Sequence, residues 1–159
     1  MVLNISGLNI YLEQYLNKSG FLPEGQSSKK DVILIHGFTG SSKDWEQIIP
    51  GLSKNFNYYA IDLTGHGNSD SPTEKNIYEA NALIEQLREL IKKISNEKIT
   101  LLGYSMGGRV ALSYAVKYPE TIEGLILEST TAGIKDDNER EERLKKDEEL
   151  ADFIESPSM

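Results

Sequence analysis

The chain has 159 residues, a net charge of −8 and a pI near 4.8, with 38% apolar and 26% charged residues. That length fits one domain with a real core, and the acidity argues against nucleic acid or an anionic membrane as a partner. Cysteine is absent, which excludes disulfides, thiolate nucleophiles and thiolate metal sites. The N-terminus MVLNISGLNI has no basic segment leading into an apolar one, and no apolar run approaches membrane-spanning length, so a cytoplasmic enzyme is the expectation.

Taken in chain order, residues 2–16 alternate apolar and polar side chains around Gly7, with Ile10 and Leu12 in phase, and predict a hairpin of two short strands. Asn17–Lys30 is rich in Gly, Ser and Lys and predicts a solvent-facing loop. Asp31–Gly37 reads DVILIHG, the near-continuous apolar run of a parallel strand buried on both faces. Ser42 can cap a helix over about residues 43–54, shortened or kinked by Pro50. Tyr58–Asp62 predicts the next strand. Over Asn76–Ser95 the residues Ala80, Leu83, Ile84, Leu87, Leu90, Ile91 and Ile94 recur at helical steps. A strand over Lys98–Leu102 follows, then a helix that runs to Tyr118 before Pro119, then a strand over Ile122–Glu128. From Asp136 onward acidic and basic residues alternate, with sparse apolar positions at Leu144, Leu150, Ala151, Phe153 and Ile154. This predicts a surface helix or helical pair laid on something else. The order implies an α/β fold with a mainly parallel sheet.

Three motifs carry chemistry. Gly103-Tyr104-Ser105-Met106-Gly107-Gly108 joins a strand to a helix in the G-x-S-x-G pattern of a nucleophile elbow. Small residues on either side of Ser105 let strand and helix approach, and the helix that starts at Met106 aims free N–H groups at whatever the serine attacks or deprotonates. His36-Gly37-Phe38 follows the buried strand. An N–H from Phe38 and another from Met106 are the expected pair of oxyanion donors. Asp62-Leu63-Thr64-Gly65-His66-Gly67-Asn68-Ser69-Asp70 forms a D-x-x-G-x-G-x-S loop beneath them. His36 and His66 read as structural histidines that brace these turns. Arg109, one turn after Ser105, fits either a surface arginine or a carboxylate ligand.

Together these motifs resemble the α/β-hydrolase superfamily. The resemblance narrows with GYSMGGRVAL, then Leu127-Glu128-Ser129-Thr130-Thr131-Ala132-Gly133-Ile134, then Glu139-Arg140, Arg143 and Asp147. These look like 2-succinyl-6-hydroxy-2,4-cyclohexadiene-1-carboxylate synthases of menaquinone biosynthesis. The likeness implies a lyase that eliminates pyruvate from a polyanionic small-molecule substrate, with no metal or cofactor. It implies Ser105 as the catalytic base within a triad, Phe38 and Met106 as the oxyanion hole, and Arg109, Tyr104, Arg140, Arg143 and Lys135 as substrate-binding residues. For Arg140, Arg143 and Lys135, the spacing alone also fits a solvated helix with i,i+3 and i,i+4 ion pairs. Residues 1–130 would be a partial core and residues 131–159 the start of a helical cap.

The pattern departs in one respect. A triad needs an acid and a histidine after the serine, and both histidines precede it. The chain is therefore expected to be an N-terminal portion of the fold with little activity by itself, and its Ile122–Glu128 strand is expected to be an edge open to self-association. Two other readings stay open: a carboxylesterase or C–C bond hydrolase using the same elbow, and a non-catalytic fragment that serves as a binding module.

Overall fold

A computed structural model describes residues 1–17 and 29–155. The expected loop over Asn17–Lys30 therefore lies mostly outside the described residues, as does the tail Ser156–Met159. Among the described residues six strands form one sheet: β1 (Val2–Ile5), β2 (Leu8–Tyr15), β3 (Lys30–Ile35), β4 (Phe56–Ile61), β5 (Ile99–Tyr104) and β6 (Ile122–Glu128), in the order β1-β2-β4-β3-β5-β6. β1 and β2 are antiparallel around Ser6 and Gly7, both at positive φ, and β2 runs antiparallel to β4. From β4 through β3 and β5 to β6 every pairing is parallel. The sheet is mainly parallel, as the alternating element order implied.

The reason β3 reads as unbroken hydrocarbon is visible in its two faces. Ile33 and Ile35 join a core with α1 (Ala80–Ile94) and α2 (Met106–Lys117), while Val32 and Leu34 join a second core with Trp45, Ile49 and Tyr58. α1 contributes Ile84, Leu87, Leu90 and Ile91, all buried and all in helical phase, and each is worth about 1.5–3 kcal/mol of burial. Ala80, counted on that face from the sequence, is exposed. α1 also starts later than the periodicity suggested. A 3-10 turn at Lys75–Tyr78 comes first, and Glu79 is extended with ψ 148°.

The helix expected over 43–54 is not formed. Two 3-10 turns stand there instead, Ser42–Trp45 and Ile49–Gly51. The cap is Ser41, whose hydroxyl accepts from the Lys43 N–H while Asp44 reaches back to the Ser41 N–H. Ser42, expected to be the cap, instead donates its N–H to the buried carboxylate of Asp62 at 2.5 Å. Pro50 has no N–H to extend a helix, and Gly51 follows at once. Beyond β6, α3 (Asp137–Glu155) is a single 19-residue helix whose side chains from Asp137 to Ile154 are all exposed. No described helix is long and apolar enough to cross a membrane.

Candidate active site

β5 ends and α2 begins at one strained residue. Ser105 has φ 50° and ψ −110°, a region a non-glycine residue occupies only when its surroundings enforce it. Those surroundings are tight. The Ser105 N–H donates to the carbonyl of Glu128 in β6 at 2.9 Å, and the Ser105 carbonyl accepts from the Arg109 N–H at 3.2 Å, which closes the first turn of α2. Gly107 packs so closely under β3 that an added Cβ collides with the carbonyl oxygens of Ile35 and His36. At Gly103 the same addition comes within 2.5 Å of the Gly108 Cα. Glycine there is the condition for strand and helix to meet at this angle.

The turn after β3 lies beside the elbow. A Cβ built on Gly37 sits 3.7 Å from the Ser105 Cβ, and Phe38, Ser105 and Met106 line one cleft. Among the described residues the N–H groups of Phe38 and Met106 donate to no protein acceptor. Met106 also opens α2, where the helix dipole favours negative charge.

Both histidines hold backbone rather than Ser105. His36 is fully buried; its Nε2 accepts the Leu63 N–H at 3.1 Å, so Nδ1 carries the hydrogen and donates to the Gly37 carbonyl at 2.6 Å. Burial lowers its pKa, and the neighbouring His66 ring, 4.9 Å away, acts in the same direction. His66 places Nε2 2.5 Å from the Phe38 carbonyl and Nδ1 3.3 Å from the Thr64 carbonyl. The loop below is organised by Asp62. Its carboxylate accepts from the Ser42 and Asn68 N–H groups, while its carbonyl takes the Ser69 hydroxyl at 2.6 Å.

The cleft over Ser105 has a volume of about 420 Å³, and α3 supplies its far wall through Arg143, Asp147, Leu150, Ala151 and Ile154. Arg109 borders it from α2 and reaches the Thr131 hydroxyl at 3.5 Å. Arg143 is ion-paired with Asp147. Arg140 lies outside this cleft, in a side cleft beside Thr131 and Gly133, and pairs with Asp137 one turn back. Lys135 is exposed and lines neither cleft. Tyr104 lines a groove with Trp45, Leu102, Ile126 and Glu128, and its ring covers Gly37. Sequence reasoning overlooked Asp147, Leu150, Ala151 and Ile154 as cleft residues. Their signal was present, since positions 143, 147, 150, 151 and 154 share one helical face.

The family model for the alpha/beta hydrolase fold matches residues 31–154. The chain belongs to the α/β-hydrolase family. A Bacillus subtilis protein provisionally named 2-succinyl-6-hydroxy-2,4-cyclohexadiene-1-carboxylate synthase is 40% identical over 82% of this chain and 47% of its own length. A Haemophilus influenzae protein with the same provisional name is 35% identical over 74% of this chain and 47% of its own. The chain spans about half the length of these curated relatives. Among solved structures, an epoxide hydrolase from Bacillus megaterium bound to an inhibitor superposes with a TM-score of 0.78 at 24% identity. That match covers 99% of this chain and 55% of the other, and supports the α/β-hydrolase fold alone.

Proposed function

We propose that this chain carries the nucleophile elbow and anion-binding wall of a lyase that eliminates pyruvate from a succinyl-substituted cyclohexene carboxylate. The observation that carries this reading is the position of Arg109 and Arg143, two cations beside Ser105 in a protein of net charge −8. An acidic protein repels a polyanion at long range, so binding one requires cations concentrated at the site. The provisional names of the two relatives above point to the same substrate class.

In this mechanism Ser105, within a triad, takes a proton from the ring. The electron pair left behind drives cleavage of the bond between the ring carbon and the ether oxygen, and enolpyruvate leaves with that oxygen and takes up a proton on its terminal carbon to become pyruvate. The Phe38 and Met106 N–H groups hold the oxygen on which negative charge develops, and Arg109 and Arg143 neutralise substrate carboxylates. α3 acts as the start of a cap, with Arg140, paired to Asp137, standing outside the anion cleft. No histidine follows Ser105 in these 159 residues, and the two that precede it are committed to backbone, so this polypeptide alone turns over weakly.

The test compares wild type with Ser105→Ala for pyruvate release from the enolpyruvyl substrate and for nitrophenol release from a simple nitrophenyl ester. Ser105-dependent pyruvate release without ester cleavage supports the lyase. Ser105-dependent ester cleavage without pyruvate assigns the elbow to a hydrolase. The assays use enzyme in excess over substrate so that weak turnover is detected; if neither signal depends on Ser105 under those conditions, the binding-module reading gains.

A further inference from the structure

Asp147 has no part in the chemistry above, yet its carboxylate faces the Ser105 cleft in a position that looks unfavourable for anion binding. The way it meets Arg143 resolves this. Both of its oxygens accept from the same nitrogen, Nε of Arg143, at 2.8 and 3.0 Å. The terminal Nη1 and Nη2 amino groups, which form the fork that grips a carboxylate, have no protein partner among the described residues. Arg140 shows the opposite arrangement three residues earlier on the same helix. Its terminal Nη2 is spent on Asp137, so half of its fork is already taken. Arg143 and Asp147, with Arg109, border both the Ser105 cleft and the side cleft, so the pair stands in the wall between them.

We infer that Asp147 is a positioning residue: it anchors Arg143 by Nε and leaves the guanidinium fork free for a carboxylate of the bound ligand. This rests on the anion-binding reading of the cleft and assigns it a further residue. Two effects of Asp147 oppose each other, which makes the inference testable by sign. As a bare negative charge in the wall, Asp147 repels an anion, and its removal tightens binding. As a positioning residue, it spares the ligand the cost of ordering a long, rotamer-rich side chain, and its removal loosens binding.

The experiment uses the 159-residue chain and succinate as the probe, with binding followed by calorimetry and by the ¹⁵Nε–H signal of Arg143. Asp147→Ala is expected to weaken succinate binding by roughly fivefold and shift the Nε signal, and Asp147→Glu to restore both. Alanine favours helix, so α3 persists in the variant and circular dichroism verifies it. Unchanged or tighter binding in D147A, with Arg143→Ala still weakening it, overturns the role of Asp147 alone. If R143A and R109A both leave succinate binding unchanged, the anion-binding reading of the cleft fails, and this inference with it.

Discussion

Substituting Gly107 by alanine tests the contact on which the elbow depends. Gly107 is buried in the first turn of α2, and the built Cβ lies well inside the 3.0 Å that real Cβ atoms respect, against two backbone carbonyl oxygens. Neither oxygen belongs to a flexible side chain, so relief requires α2 to slide from β3 by on the order of 1 Å, which places the cost near the top of the overpacking range, about 3 kcal/mol. Alanine returns about 1 kcal/mol through helix propensity, leaving a net loss of about 2 kcal/mol. With a urea slope of about 2 kcal/mol per molar, the unfolding midpoint falls by about 1 M. Trp45 is the sole tryptophan and is buried, so its fluorescence reports the transition. Gly51→Ala is the control, since a Cβ there meets nothing within 4 Å. A G107A midpoint indistinguishable from wild type, with G51A equally unaffected, would refute the close-approach argument.

Three further outcomes are expected. Strain at Ser105, worth about 1–3 kcal/mol, is relieved by glycine but not by alanine, so Ser105→Gly should be more stable than Ser105→Ala by about 1 kcal/mol after the entropy cost of glycine; equal stability in urea would count against a strained elbow. Burial keeps His36 neutral in the folded chain while the unfolded chain protonates it near pH 6.5, so the unfolded state binds more protons below that pH. Stability should therefore be full above about pH 6.5 and decline below it, by up to about 1.4 kcal/mol per pH unit, and Asn or Gln at position 36, which do not titrate, should remove this component of the slope; an identical slope in H36Q would reject the assignment. Finally, β6 is the last strand of the sheet, with Ile126 51% and Leu127 38% exposed, so the 159-residue chain should self-associate through that edge. Light scattering that shows a monomer over a wide concentration range contradicts this.

Much of the architecture is legible in local patterns because those patterns are caused by burial. The VILI run shows β3 covered on both faces, and Ile84, Leu87, Leu90 and Ile91 give the inward stripe of α1. The elbow is legible for a different reason: Gly103 and Gly107 are forced by backbone contacts that any sequence with this turn must respect, and Gly108 by the Thr130 side chain packed against it. Residues 43–54 mislead because an apolar, capped stretch looks helical until Pro50 and Gly51 break it into separate turns. The side of the sheet that Tyr104 faces was available from strand alternation, since Leu102 and Tyr104 share a face with Ile126 and Glu128 and line the same groove. The placement of α3 over Ser105 is tertiary. The spacing of Arg143, Asp147, Leu150 and Ile154 defines a face but does not say what it covers.

The central claim, that the Ser105 cleft takes the anionic ring, is tested most directly by titrating the ¹⁵N-labelled chain with 2-succinyl-6-hydroxy-2,4-cyclohexadiene-1-carboxylate and recording backbone amide and arginine Nε signals. The account predicts shifts concentrated at the Phe38 and Met106 amides and at Arg109 and Arg143. Shifts confined to the groove around Trp45 and Tyr104, or no shifts at ligand concentrations in the millimolar range, would contradict it.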